Sequence, residues 1–141
     1  MENLGFLLND VTRRYVQCFE QHASSISLTL TQCKVLVQLE RNEGISQARL
    51  AELADVDPMM VVRVLDRMEE NKLVERRPDP ADRRARKLFL TKKARPLLQE
   101  IRRLAEITRA ELFVGISKTD RDKFMRVLEK LHQNTTTGVP T

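Results

Sequence analysis

Six basic side chains fall between Arg76 and Lys87: Arg76, Arg77, Arg83, Arg84, Arg86 and Lys87, with two aspartates, Asp79 and Asp82, among them. This segment's net charge of +4 is most of the +5 carried by the whole 141-residue chain. Guanidinium groups crowded this closely repel one another unless an anion meets them. A charge concentrated in one patch is the electrostatic footprint of a polyanion partner. On charge alone, a solvated basic turn stands beside that reading. The stretch PDPADRRARKLFLT, residues 78–91, sets the cations behind two prolines and ahead of an apolar run, as a hairpin tip would.

Other chemistries find little support. Cys18 and Cys33 form neither a disulfide framework nor a zinc ribbon, and read as inert thiols, with a redox role left open. His22 and His132 are the only histidines, too few for a metal site without several carboxylates. There is no glycine-rich phosphate loop, nucleophile elbow or HExxH motif, and the carboxylates are scattered over helix faces. We therefore expect no enzyme, no cofactor and no metal. With 41% apolar and 32% charged residues, four glycines and five prolines, the chain reads as one globular, helix-leaning domain. No apolar run has the length of a membrane span and Met1-Glu2-Asn3 begins no signal peptide, so a soluble, intracellular protein is expected.

The elements that must position the cations follow from periodicity. Leu4, Leu7, Leu8, Val11, Tyr15 and Phe19 recur at three- and four-residue steps and predict an amphipathic helix over 4–22. A second helix starts after Thr29 or Thr31, either of which is a suitable cap, and runs to about Glu40. Ser46 is the N-cap of a short helix carrying Leu50, Ala51, Leu53 and Ala54. Asp57-Pro58 opens the next, with Val61, Val64, Leu65 and Met68 on one stripe, ending near Asn71, a residue suited to the left-handed conformation. Residues 73–77 and 87–91 are strand-like and predict a β-hairpin with a long, proline-stiffened tip. A long helix follows Thr91. Pro96 means either that it properly begins there or that its first turn is distorted. Ser117 and Asp120 make a capping-box-like start for a last helix, and residues 134–141 read as a frayed tail.

This order, with residues 31–91 at its centre, is that of a winged helix-turn-helix. Ser46–Val56 is the supporting helix, Asp57–Asn71 the recognition helix, and 78–87 the wing. Its arginines would then face the phosphates and minor groove of a DNA duplex.

The segments SQARLAELADVDP (46–58), LDRMEENKLVERRPDPADRRARKLFLTKKA (65–94) and TRAELFVGIS (108–117) resemble the MarR family of bacterial regulators, and most closely its SlyA-like branch. The resemblance runs from Leu4 to Gln133. Its most specific element is Asp82-x-Arg84 in the wing, followed by an apolar strand ending in Leu90-Thr91. It implies a single MarR-like domain over 1–141, mainly α with a small β-hairpin. The winged region at 31–91 would be flanked by dimerisation helices at 4–22 and 96–134. It further implies a homodimer on inverted-repeat operators in double-stranded DNA, no membrane partner, and a small amphipathic or phenolic effector. Regulators of this family repress or activate. In the peroxide-sensing branch a reactive cysteine precedes an apolar cluster of the first helix, where this chain has Gly5 before Phe6, which argues against that mechanism.

The expected contacts can be named. With Val61 inward at about 100° per residue, Met59, Arg63, Asp66 and Glu70 lie opposite the core, flanked by Met60 and Arg67. Only the N-terminal part of a recognition helix normally reaches base edges, so its contacts are expected from Met59, Met60, Val62, Arg63 and Arg67. Arg63 is suited to bridging guanine O6 and N7, and matches an arginine of the family. A phosphate contact, or an intramolecular pair with Asp66 or Glu70, is the alternative. Met59 and Met60 depart from the family pattern of Ser, Thr or Pro. An exposed methionine suits thymine methyls, whereas Met60 packed beneath the wing is the plainer reading. Arg49 replaces a common glutamate and forfeits the reciprocal cap of Ser46. In the wing, Arg84 is expected in the minor groove, Arg83 and Arg86 on phosphates, and Asp82 holding a wing arginine by a bidentate pair. A winged module with an assembly or non-specific nucleic-acid role remains the alternative function.

Overall fold

The computed structural model describes residues 3–136. In order, these form α1 (Leu4–His22), a 3-10 turn (Ala23–Ile26), α2 (Leu30–Arg41), α3 (Gln47–Ala54), α4 (Pro58–Glu70), β1 (Val74–Asp79), β2 (Asp82–Leu90), α5 (Ala94–Leu112) and α6 (Lys118–Thr136). The fold is mainly helical with one antiparallel hairpin. Two compact units divide at Arg109, within α5, and each is described by itself.

In the first unit the helices start where their caps dictate. Thr29 caps α2 in a complete box: its hydroxyl accepts from the Gln32 N–H at 3.2 Å, and the Gln32 side chain accepts from the Thr29 N–H at 2.9 Å. The Ser46 hydroxyl accepts from the Arg49 N–H at 3.1 Å. Asp57 caps α4 by accepting from the Met59 N–H at 2.9 Å, with Pro58 as the first helical residue. α4 buries Val61, Val64, Leu65 and Met68 against Leu36, Leu39, Leu50, Val74 and Leu88 in one apolar core.

The hairpin packs onto that core with alternating sides. Val74 pairs with Leu90 and Arg76 with Leu88; Val74 and Leu88 are buried, which sets the inward face. A third extended segment joins the far edge of β2. The Gly44 N–H donates to the Leu88 carbonyl at 2.7 Å, and the Leu88 N–H donates to the Ile45 carbonyl at 3.0 Å. Gly44 has φ 85°, and a Cβ there would lie 3.6 Å from the Phe89 ring, so a glycine lets the turn close onto the sheet.

Three expectations are corrected. The strands reach Asp79 and Asp82, so only Pro80-Ala81 remains as a tip, and the arginines of residues 83–86 belong to β2 and not to a long loop. Pro78 pairs with Arg86 just before a register irregularity, a place where a missing N–H is tolerated. Asn71 closes α4 with φ −80° and ψ 3°; the left-handed residue is its neighbour Lys72, at φ 59°. The Lys72 carbonyl accepts from the Thr91 hydroxyl at 2.6 Å and the Asn71 carbonyl from Lys93 Nζ at 3.0 Å, so contacts from the far side of the hairpin hold this turn. α5 begins at Ala94, which leaves Pro96 in the first turn, where backbone N–H groups have no intrahelical partner in any case.

In the second unit, the Ser117 hydroxyl accepts from the Asp120 N–H at 3.2 Å at the start of α6, and Phe113 packs edge-on against Phe124 at 5.8 Å between centroids. α6 buries none of its residues. It continues through Thr136, so residues 134–136 of the expected tail are helical; residues 137–141 lie outside the described residues.

Cys33 is buried on α2 and Cys18 is half-buried on α1. Burial, and secondarily the charge of Glu20, pushes the Cys33 thiol up from 9.0 to about 12. The folded state holds that proton more tightly than the unfolded chain does. Its contribution to stability is therefore complete below pH 9.0 and is lost as pH rises toward 12. Cys33 should resist iodoacetamide in the native protein at pH 8 and react at once in denaturant; quantitative native labelling at position 33 would contradict this.

Candidate nucleic-acid interface

The outward side of α4 is unusually apolar at its start. Met59 is 70% exposed, Met60 43% and Val62 39%. Met60 therefore does not pack beneath the hairpin. Arg63 and Arg67 are exposed beside them. Arg63 makes no ion pair among the described residues, and neither Asp66 nor Glu70 neutralises it. Asp66 is engaged elsewhere, by Arg76 of β1 at 2.7 Å. The supporting helix contributes no free cation at Arg49, which is paired with Glu52 at 2.8 Å.

On the hairpin the six basic side chains divide by the face they occupy. Arg76 points inward, 19% exposed, and its Nη2 also donates to the Val62 carbonyl at 3.3 Å. Arg77 lies on the other face, with its guanidinium 4.1 Å above the Phe89 ring centroid and 2.9 Å from Glu75. Arg83, Arg84 and Arg86 are exposed, Lys87 is half-buried, and none of these four has an ion-pair partner among the described residues.

Two aspartates shape the tip through the backbone. Asp79 accepts from the Ala81 N–H at 2.9 Å and Asp82 accepts from the Arg84 N–H at 2.9 Å. Asp82 thus engages the backbone of its own turn, and the expected bidentate pair with an arginine side chain is not formed. Asp82 makes no ion pair with the guanidinium groups beside it among the described residues. The surface thus has a helix start bearing Arg63 and exposed methionines, and a strand bearing three unpaired arginines.

Sequence reasoning missed the Arg76–Asp66 pair. The signal was available: Arg76 lies two residues from Val74, so it shares the buried side of a strand, and a charge there needs a partner.

A cavity of about 250 Å³ lies on the same unit, lined chiefly by Ile26, Leu28, Met68, Leu73 and Leu97, with Arg67 and Lys93 among its polar groups. It is bordered by the 3-10 turn and the ends of α2, α4 and α5. Among the described residues no helix is long and apolar enough to cross a membrane.

The MarR family model matches residues 28–85, which span α2, α3, α4 and most of the hairpin. BpsR of Bordetella bronchiseptica, whose DNA binding is regulated by 6-hydroxynicotinic acid, is 29% identical; 92% of this chain aligns with 98% of that one at a TM-score of 0.84. A mutant MarR from E. coli complexed with operator DNA is 25% identical, with 91% and 92% of the two chains aligned and a TM-score of 0.81. A MarR regulator from Methanosarcina mazei, 23% identical, has the same fold over 97% of this chain and 99% of its own, at a TM-score of 0.89. By that family model, over residues 28–85, and by these structural neighbours, the chain resembles the MarR family of transcription regulators.

Proposed function

We propose that the protein is a sequence-specific regulator that binds inverted-repeat operators in double-stranded DNA as a homodimer, with a small amphipathic or phenolic acid as effector. One observation carries the reading: Arg63 on α4 and Arg83, Arg84 and Arg86 on β2 are exposed and without an ion-pair partner among the described residues, while the neighbouring Arg49, Arg76 and Arg77 are internally engaged. Helix-borne arginine suits the major groove, and arginines on a projecting hairpin suit phosphates and a narrow minor groove. The DNA complex of a 25% identical MarR supports the same partner. The arginine-rich wing resembles that of the SlyA-like branch. A cytoplasmic, nucleoid-associated location follows from such a role.

In this reading Arg63 reads a base, Met59, Met60 and Val62 meet apolar base edges, and Arg67 lies toward the backbone. Arg84 enters the minor groove from a turn shaped by Asp82, and Arg83 and Arg86 hold phosphates. Arg63→Ala should cost about 1–3 kcal/mol and relax preference mainly at one operator position. Arg83→Ala or Arg86→Ala should weaken specific and random duplexes alike and reduce the salt slope by roughly 0.9 per lost phosphate contact. Arg84→Ala should lose most on A·T-rich flanks. Titration of these variants on operator and scrambled DNA at several salt concentrations checks all three. Equal wild-type affinity for every sequence would instead support a non-specific architectural module.

The dimer rests on the apolar stripes that each unit leaves open. Leu4, Phe6, Leu7, Leu8 and Val11 of α1 are exposed, as are Phe124, Val127 and Leu131 of α6. A helix with no buried residue has little to hold it in a lone chain. Sedimentation should show a dimer at micromolar concentration; a stable folded monomer would contradict it.

For the effector, the cavity between the 3-10 turn and α4 offers apolar walls with Arg67 and Lys93 as cations, a setting for an aromatic carboxylate. A panel of aromatic acids should contain members that lower operator affinity in wild type and not in Lys93→Ala. No response to any member would remove the ligand-gated part of the proposal.

A further inference from the structure

We infer that Arg76 is a positioning residue for recognition, which acts by holding Asp66 away from Arg63. This rests on the reading of Arg63 as the base-contacting cation. Arg63 and Asp66 are three residues apart on α4, a spacing at which side chains on one helix face can reach each other. They do not pair. The Asp66 carboxylate lies 2.7 Å from Arg76 Nη2, and the same nitrogen donates at 3.3 Å to the Val62 carbonyl, one helical turn earlier. Arg76 therefore grips a single turn of α4 from the inward face of β1 and draws its carboxylate toward the hairpin.

Stability is a poor account of this arrangement. The Arg76 side chain is only 19% exposed, and its Nε is buried with no hydrogen-bond partner. A largely desolvated guanidinium with one donor unsatisfied gives little net stabilisation, and an apolar side chain of similar length commonly serves as well. What it supplies is direction. With Asp66 drawn off, Arg63 keeps its full charge and its freedom to bridge a guanine. Without Arg76, the nearest cation for Asp66 on its own helix face is Arg63 itself. Pairing there would neutralise the reading side chain at the protein–DNA contact.

The test uses the full-length protein and an operator recovered by selecting wild-type binders from a random duplex pool. Affinities are measured for that operator and for random duplex, with melting followed in parallel. Arg76→Met should lose about tenfold on the operator and less than about twofold on random DNA. Asp66→Asn alone should bind the operator at least as well as wild type, because the carboxylate that threatens Arg63 is gone. The double variant Arg76→Met with Asp66→Asn should recover to within about twofold of wild type.

A merely structural grip predicts the opposite for the last two: Asp66→Asn would lose discrimination, and the double variant would be no better than Arg76→Met. Either result overturns the inference, as does an Arg76→Met protein that binds the operator like wild type. If Arg76→Met fails to fold, Asp66→Asn alone decides between the two accounts. A wild-type protein with no operator preference at all would instead sink the proposed function and leave no reading residue to position.

Discussion

Burial of one stripe on α4 governs the rest of this surface. Val61, Val64, Leu65 and Met68 fill a core shared with α2, α3 and the hairpin, and a helix whose apolar stripe is buried can roll in only one way. That roll faces Met59, Val62 and Arg63 outward at the start of the helix. It also turns Asp66 and the Val62 carbonyl toward β1, within reach of Arg76. Rotation by a single residue position would bury a charge and expose a leucine, at a cost far above any gain from a better surface contact.

The hairpin obeys the same economy in a different period. Leu88 and Val74 face the core, so Arg76 must share that face, while Arg77 falls on the other and lies over Phe89. Phe89 in turn sits against the turn at Gly44, and backbone bonds from Gly44 and Ile45 hold β2 on its free edge. Arg76 and Arg77 are thereby engaged within the protein, while Arg83, Arg84 and Arg86 farther along are left without an ion-pair partner among the described residues. The concentration of positive charge seen along the chain is not one patch but two populations with different fates.

The far end of α4 shows how a helix terminus becomes a shared responsibility. Asn71 and Lys72 leave carbonyls that the helix cannot satisfy, and the acceptors are met by Lys93 and Thr91, some twenty residues on in the chain. The same turn borders the cavity whose polar groups include Arg67 and Lys93. Lys93 thus both closes the end of α4 and forms part of the cavity wall.

The sequence by itself determined what short range decides. Thr29, Ser46 and Asp57 cap the helices they announce, because a cap is a contact across two or three residues and needs no distant partner. The apolar stripes of α1, α4 and α5, the hairpin, and the outward position of Arg63 follow from periodicity for the same reason. Tertiary structure decided the remainder. The tip shrank to Pro80-Ala81 because Pro78 found a place in the ladder opposite Arg86, which a count of turn residues does not reveal. Lys72 took the left-handed conformation that Asn71 was better suited to, under contacts from Thr91. Asp66 went to Arg76 and not to its own helix neighbour, because a half-buried guanidinium exerts a stronger pull than an exposed one that water already serves. Where the competing partners lie within a turn, composition names the winner; where one of them arrives from another element, only the packed fold does.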